Sequence, residues 1–196
     1  GKKLKGFTGE KYEAPDSYSA VHDRYFQTFK YYMDQYGYYD LFLLGPEYGD
    51  AAFTVTKEHD FGARTAEIDS SLRDVWRVAA QQGQVALSDT KPYSPSNNIP
   101  AQFVAAPVLD DGKIVGVVAL QISIDAVNAI MSERSGMGES GETYLIGPDN
   151  LMRSDSFLNP DDHSVAASFA NPSKGSIDSD AAQDALKGNE SNDIVI

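Results

Sequence analysis

Few residues of this chain are typed and spaced for chemistry. Gly136-Met137-Gly138-Glu139-Ser140-Gly141 fits the GxGxxG pattern that cradles a pyrophosphate. That use needs a strand before the glycines and a helix N-terminus after them. Here a helical pattern precedes and a strand pattern follows, so phosphates would find no helix N-terminus. His22, His59 and His163 are far apart and none has a partner at ligand spacing, which speaks against zinc. Asp155, Asp161 and Asp162 could gather around calcium, but the spacing of an EF-hand loop is absent. The chain has no cysteine, so thiolate nucleophiles, thiolate metal sites and disulfides are excluded. No elbow motif presents a Ser-His-Asp set, and no carboxylate pair stands out for acid–base work. The expectation is a protein that is not an enzyme and needs no cofactor or metal.

What remains points to recognition. Within the apolar stretch Ile114–Ile124, strand alternation puts Val117, Ala119, Gln121 and Ser123 on one face. Ile114, Val118, Leu120, Ile122 and Ile124 take the other. The first face is smaller and more polar, as a ligand cavity requires. The bland alternative is a Gln121 amide satisfied by neighbouring backbone. Trp76 on a helix face and Tyr93 in a Pro-rich loop are further candidates, set against a core tryptophan and a surface tyrosine. Phe103 and Asp89 lie on neighbouring strands and join the set. For Arg73, a surface ion pair competes with ligand contact.

The elements that must position these residues follow from periodicity and turn chemistry. Tyr18, Val21, Tyr25, Phe29, Tyr32 or Met33, and Tyr36 recur with a helical period, so residues 17–36 form an amphipathic helix stopped at Gly37. Tyr39–Leu44 and Ala51–Lys57 form a hairpin around a Gly-Pro-rich loop. Ser70 or Ser71 caps a short helix that presents Leu72, Val75, Trp76 and Ala79 and ends at Gly83. Strands Gln84–Asp89, Ala101–Leu109 and Ile114–Ile124 follow, the last two joined by Asp110-Asp111-Gly112-Lys113. Lys91–Pro100, with its prolines and asparagines, is expected to be a loop. Asp125 opens another helix, which carries Val127, Ile130 and Met131. A second hairpin, Glu142–Pro148 with Leu151–Ser156, then starts a new unit, and Asp180–Lys187 is a short helix. Leu43-Leu44-Gly45-Pro46-Glu47 recurs as Leu145-Ile146-Gly147-Pro148-Asp149, which suggests a second copy of the same sheet. This order gives an α+β fold: a long N-terminal helix, an antiparallel sheet, and the start of a smaller second module.

Composition narrows the class. The chain has 196 residues, 41% of them hydrophobic and 23% charged, enough to bury a core and too apolar for disorder. A formal net charge of −13 repels nucleic acid and anionic membrane surfaces. No run approaches the roughly 18 apolar residues that span a bilayer. The start at Gly1 without an initiator Met and the strand-like end Ile194-Val195-Ile196 read as the edges of an excised fragment.

The layout resembles the double Cache sensor domains of bacterial chemoreceptors and sensor kinases. The resemblance rests on Tyr38-Tyr39-Asp40-Leu41-Phe42-Leu43 with Phe53-Thr54-Val55-Thr56-Lys57-Glu58, on Ile114 through Asp125, and on Gly138-Glu139-Ser140-Gly141-Glu142-Thr143-Tyr144-Leu145. It covers about residues 17–156 and implies a PAS-like sheet in each module. The expected division is a helical segment 1–37, a membrane-distal sensor module 38–136 and a membrane-proximal, incomplete module 137–196. It further implies the periplasmic domain of a membrane-anchored, homodimeric inner-membrane receptor, with a methyl-accepting chemotaxis receptor as the leading parent and a histidine kinase or cyclase as the alternative.

Amino-acid binders of this family use an Arg and an aromatic pair on the second helix, a Tyr in the next loop and an Asp on the last strand. The Arg takes the ligand carboxylate and the Asp its ammonium. Arg73 falls at the Arg position, Val75 and Trp76 at the aromatic pair, and Tyr93 at the loop Tyr, while Gln121 stands where the Asp should be. A neutral amide supplies no charge for an ammonium, so a small carboxylate or uncharged organic ligand is expected in preference to an α-amino acid. A protein-interaction module without a ligand is the competing reading. The Tyr31-Tyr32 to Tyr38-Tyr39 stretch suits a helix–helix or dimer interface better than carbohydrate stacking.

Overall fold

In the computed structural model, which describes residues 2–3, 12–13 and 15–190, the chain divides into two compact units, Gly1–Ser123 and Ile124–Ile196. The first unit starts with a two-stranded ribbon of β1 (Lys2–Lys3) and β2 (Tyr12–Glu13). Then comes α1 (Asp16–Tyr36). Asp16 lies in its first turn, where the helix dipole favours an anion, and Gly37 closes it at φ 71° with its N–H on the Met33 carbonyl.

The strands β3 (Tyr38–Leu44) and β4 (Ala51–Thr54) follow. Next is α2 (Ser71–Gln82), capped by the Ser70 hydroxyl, which accepts the Arg73 N–H. Then come β5 (Ala86–Leu87), β6 (Lys91–Tyr93), β7 (Ile99–Ala101), β8 (Phe103–Asp110) and β9 (Lys113–Ile122). Five of these strands form an antiparallel sheet in the order β4-β3-β9-β8-β5, and β6 and β7 pair separately. Asp111 and Gly112 both take positive φ in the β8–β9 turn, as a tight hairpin needs.

Alternation along the strands splits the core in two. Phe42, Leu44, Phe103, Ala105, Val117 and Ala119 pack with Leu72, Val75, Trp76 and Ala79 of α2. Leu41 and Phe53 pack with Phe26 and Met33 of α1. Burying each Val, Leu, Phe or Met side chain among them contributes about 1.5–3 kcal/mol.

Three local expectations change. The buried stripe of α1 is His22, Phe26 and Met33, with Phe29 packed beside them. Val21, Tyr25, Tyr32 and Tyr36 face solvent. Both stripes fit the helical period, and the wholly apolar Phe and Met side chains take the interior while most tyrosines, with a polar tip, stay outside. The second strand stops at Thr54: Val55 shares its N–H between the Leu41 carbonyl and Asp40, Thr56 gives its N–H to Asp40, and Lys57 turns the chain at φ 54°. The expected loop 91–100 contains the β6–β7 ribbon, turned by Asn97 and Asn98 at positive φ. Its prolines, Pro92 and Pro100, are tolerated in a two-stranded edge.

The second unit holds α3 (Ile124–Met131), α4 (Pro160–His163), α5 (Val165–Ala170), α6 (Pro172–Gly175) and α7 (Asp180–Leu186). The expected hairpin narrows to one bridge, Ile146 with Met152, plus backbone bonds from Gly147 to Leu151 and from Arg153 to Leu145. Among the described residues it gains no third strand, and two strands alone are marginal. Met152 and Val165 are buried there. Among the described residues no helix is long and apolar enough to cross a membrane.

Candidate ligand site

On the α2 side of the sheet, Asp40 stands opposite Gln121 and Gln121 opposite Phe103, so three neighbouring strands β3, β9 and β8 present these side chains in a row. Alternation puts Asp40 on the inner face with Phe42 and Leu44, just after a register shift between Tyr38 and Asp40. Asp40 is 1% exposed. Its Oδ1 accepts the N–H groups of Leu41 (2.7 Å), Val55 (2.9 Å) and Thr56 (3.1 Å), and its Oδ2 accepts the Thr56 hydroxyl (2.5 Å). Burial pushes the carboxyl up to about 6 against the pull of these bonds. The acceptor capacity of Asp40 is therefore spent on holding the turn at residues 54–57.

Asp60, on the chain between β4 and α2, is different. It is 2% exposed. Its Oδ2 accepts the Tyr93 hydroxyl at 2.7 Å, while Oδ1 is buried with no partner in the protein. Burial pushes this carboxyl up to about 7; the Tyr93 bond opposes the rise, and the negative charges of Asp40 and Glu58 add to it. Burial likewise drives the Tyr93 phenol far above its ordinary value. The Tyr93 ring meets Phe103 edge-on at 5.0 Å, and Phe103 meets Phe42 at 5.9 Å. Gln121 is buried, and its Oε1 too has no partner. Glu58 flanks the group: it accepts the Tyr39 hydroxyl at 2.8 Å and the Ser96 hydroxyl. Burial, then the Glu58 bond, pushes the Tyr39 phenol up to about 12.

The fold thus gathers Gln121, Phe103 and Tyr93. Trp76 lies in the same apolar cluster, but its indole N–H donates to the Gly45 carbonyl (2.9 Å) and its ring lies against Gly49. Arg73 pairs with Asp69 one turn back, and its Nε is buried without a partner. Asp89 is exposed and accepts the Thr90 N–H at 2.7 Å. The expected preference for a carboxylate or uncharged ligand counted charge at position 121 alone. Asp40 and Asp60 place two buried carboxyl groups beside that position, which weighs against the carboxylate half of that expectation and leaves the uncharged half untouched. Sequence reasoning missed both. Asp40, a lone acid inside Tyr39-Asp40-Leu41-Phe42, carried a signal; Asp60, in an aperiodic segment, carried none. Among the described residues no group of three or more His, Asp or Glu side chains could hold a metal ion.

On the opposite face, α1 and the sheet leave an apolar groove of about 330 Å³, lined by Tyr18, Val21, His22, Tyr25, Phe29 and Phe53 among others. Lys57, outside that lining, is 2% exposed, with its ammonium 4.5 Å from the Phe26 ring centre and 5.2 Å from that of Phe53.

No protein-family model matches the chain, and no curated protein does. Solved structures do. The ligand-binding domain of the Campylobacter jejuni chemoreceptor Tlp3 in complex with 4-methylisoleucine aligns with TM-score 0.55 and 16% identity over 92% of this chain and 66% of that one. The sensor domain of the V. cholerae histidine kinase DctB aligns with TM-score 0.52 and 16% identity over 74% of this chain and 52% of that one. Methyl-accepting chemotaxis protein X aligns with TM-score 0.51 and 16% identity over 83% and 65%. The chain has the α+β fold of Cache-like sensor domains. It spans between 52% and 66% of the length of these solved chains.

Proposed function

We propose that this chain is the extracytoplasmic sensing part of a membrane-anchored bacterial chemoreceptor, and that it acts by binding a small organic molecule rather than by turnover. The observation that carries this reading is the pair of buried, unpartnered acceptors on the α2 face of the sheet, Asp60 Oδ1 and Gln121 Oε1. A buried acceptor without a donor costs about 1–3 kcal/mol, a cost that a fold kept only for packing would shed and that a binding site recovers when ligand arrives. The sensor-domain fold supports the same reading, and a small ligand occupies the Tlp3 domain named above. In this reading the membrane-distal and membrane-proximal modules, expected at 38–136 and 137–196, meet instead at Ser123/Ile124, where the chain divides into two compact units. The exposed Val21, Tyr25, Tyr32 and Tyr36 stripe of α1 is the homodimer contact.

The site is closed by its own side chains: Tyr93 and Phe103 are 1% and 0% exposed. A ligand therefore enters by displacing the 58–60 segment or the β6–β7 ribbon, and it shifts the population toward whichever arrangement it binds better. The test is a thermal-shift screen of the 196-residue chain over amines, amino acids, organic acids, sugars and purines. A ligand of the native state must raise Tm in a concentration-dependent way. Absence of any such compound, together with a parent gene without a flanking membrane segment, would refute the reading.

A further inference from the structure

The atoms left unsatisfied on the α2 face of the sheet name a ligand chemistry. Asp60 Oδ1 and Gln121 Oε1 are both acceptors, so both require a donor. They are connected through two intervening rings. Tyr93 joins them, with its hydroxyl on Asp60 and its ring on Phe103, which pairs directly across from Gln121. Asp40, on the other side of Gln121, has its oxygens occupied by four donors and offers no free lone pair of comparable quality. Spare acceptor capacity and negative charge therefore coincide at Asp60.

We infer that this unit recognises a small organic cation, a primary ammonium compound, through the Asp60 carboxylate, with Gln121 Oε1 as the second acceptor. This deepens the sensing reading and rests on it. An ammonium group brings three donors on a compact charge, enough for both acceptors. The rings of Phe103 and Tyr93 beside them suit a cation and its alkyl stem. A carboxylate fails on charge, because Asp40, Asp60 and Glu58 already crowd the patch. A metal ion fails on ligand number, since no described group of three or more acidic or histidine side chains could hold one.

The experiment compares matched sets of primary amines, their carboxamides and their carboxylates, from three to six carbons, by thermal shift and titration calorimetry at pH 8. Wild type, Asp60→Asn and Gln121→Met are measured in parallel. The expected result is a Tm rise with amines alone. Asp60→Asn should weaken amine affinity by about 10- to 100-fold, the size of a charge-assisted hydrogen bond, and Gln121→Met by about 5- to 10-fold, while both variants unfold cooperatively. If carboxylates or amides shift the protein and amines do not, the cation assignment is overturned and sensing survives. If amines shift wild type and Asp60→Asn equally, the role of Asp60 is overturned. If neither these sets nor the wider screen produces a shift, both fall. Should Asp60→Asn fail to fold, an undiminished amine response in Gln121→Met, tested against butylamine competition by tetramethylammonium, would overturn the two-acceptor arrangement.

Discussion

Replacing Asp60 by Asn should stabilise the ligand-free protein at neutral pH. In the native state the carboxyl is pushed up from 3.8 to about 7. Below about pH 4 folded and unfolded chains both hold the proton, and Asp60 adds no pH dependence. Between about 4 and 7 the unfolded chain has released it and the folded chain has not, so stability falls as pH rises. Above about 7 the full cost is present. Each tenfold in proton affinity is worth about 1.4 kcal/mol, so the cost at pH 8 reaches about 4 kcal/mol. Asn keeps an acceptor for the Tyr93 hydroxyl and removes the charge, but it introduces an amide N–H that costs about 1–3 kcal/mol if unpaired. The expected net gain is about 2 kcal/mol at pH 8 and none, or a small loss, at pH 4. Trp76 is the sole tryptophan and is 3% exposed, so its fluorescence in urea titrations reports this unit alone. Asp40, pushed up to about 6, tilts wild type the same way and remains in the variant as an internal reference. A variant destabilised equally at both pH values would refute this reasoning, and so would wild-type stability that climbs from pH 4 to 7.

Four other perturbations follow from the packing. Tyr93→Phe removes the donor to Asp60 Oδ2, so stability should drop by about 1–3 kcal/mol at pH 8 and by less at pH 4, read by the same titrations. Gly49→Ala places a Cβ 2.8 Å from Thr65 Cβ and 3.0 Å from the Trp76 ring, at φ 68°; the urea midpoint should fall by an amount equivalent to about 2–3 kcal/mol, with a shifted emission maximum. Phe103→Ala empties the centre of the α2-side core and should cost about 3–5 kcal/mol by calorimetry. Val21→Glu with Tyr25→Glu puts charge on the exposed stripe of α1; if that stripe is the dimer contact, sedimentation should show monomer and the concentration dependence of Tm should vanish, and an unaltered association state would remove the stripe from the interface.

Much of the fold was legible because short-range physics fixes it. Gly37, Ser70 and the Asp111-Gly112 turn have one good use each, and they mark the ends of α1, the start of α2 and the β8–β9 hairpin. The alternation through Val117, Ala119 and Gln121 named the inner face of β9, because a strand has only two faces. The inner stripe of α1 was not legible, since two overlapping stripes share the period and only the sheet it packs against decides between them. The shortened β4 and the hidden carboxylates belong to a second class. Asp40 bonds to residues 15 and 16 positions away, and Asp60 meets Tyr93 33 positions on. No window of local sequence contains both partners, so strand periodicity could place Asp40 on the inner face with Phe42 and Leu44 but could find neither the groups it bonds nor Asp60.

Lys57 and Asp60 are gripped on different sides of the sheet, the first against Phe26 of α1 and the second by Tyr93 of the β6–β7 ribbon. Three residues of chain reach no further than about 11 Å when drawn out, so the link between the two grips has little slack. A tug at one anchor must either break a buried contact or be handed to the other, which makes this short tether a mechanical connection between the ribbon and the helix.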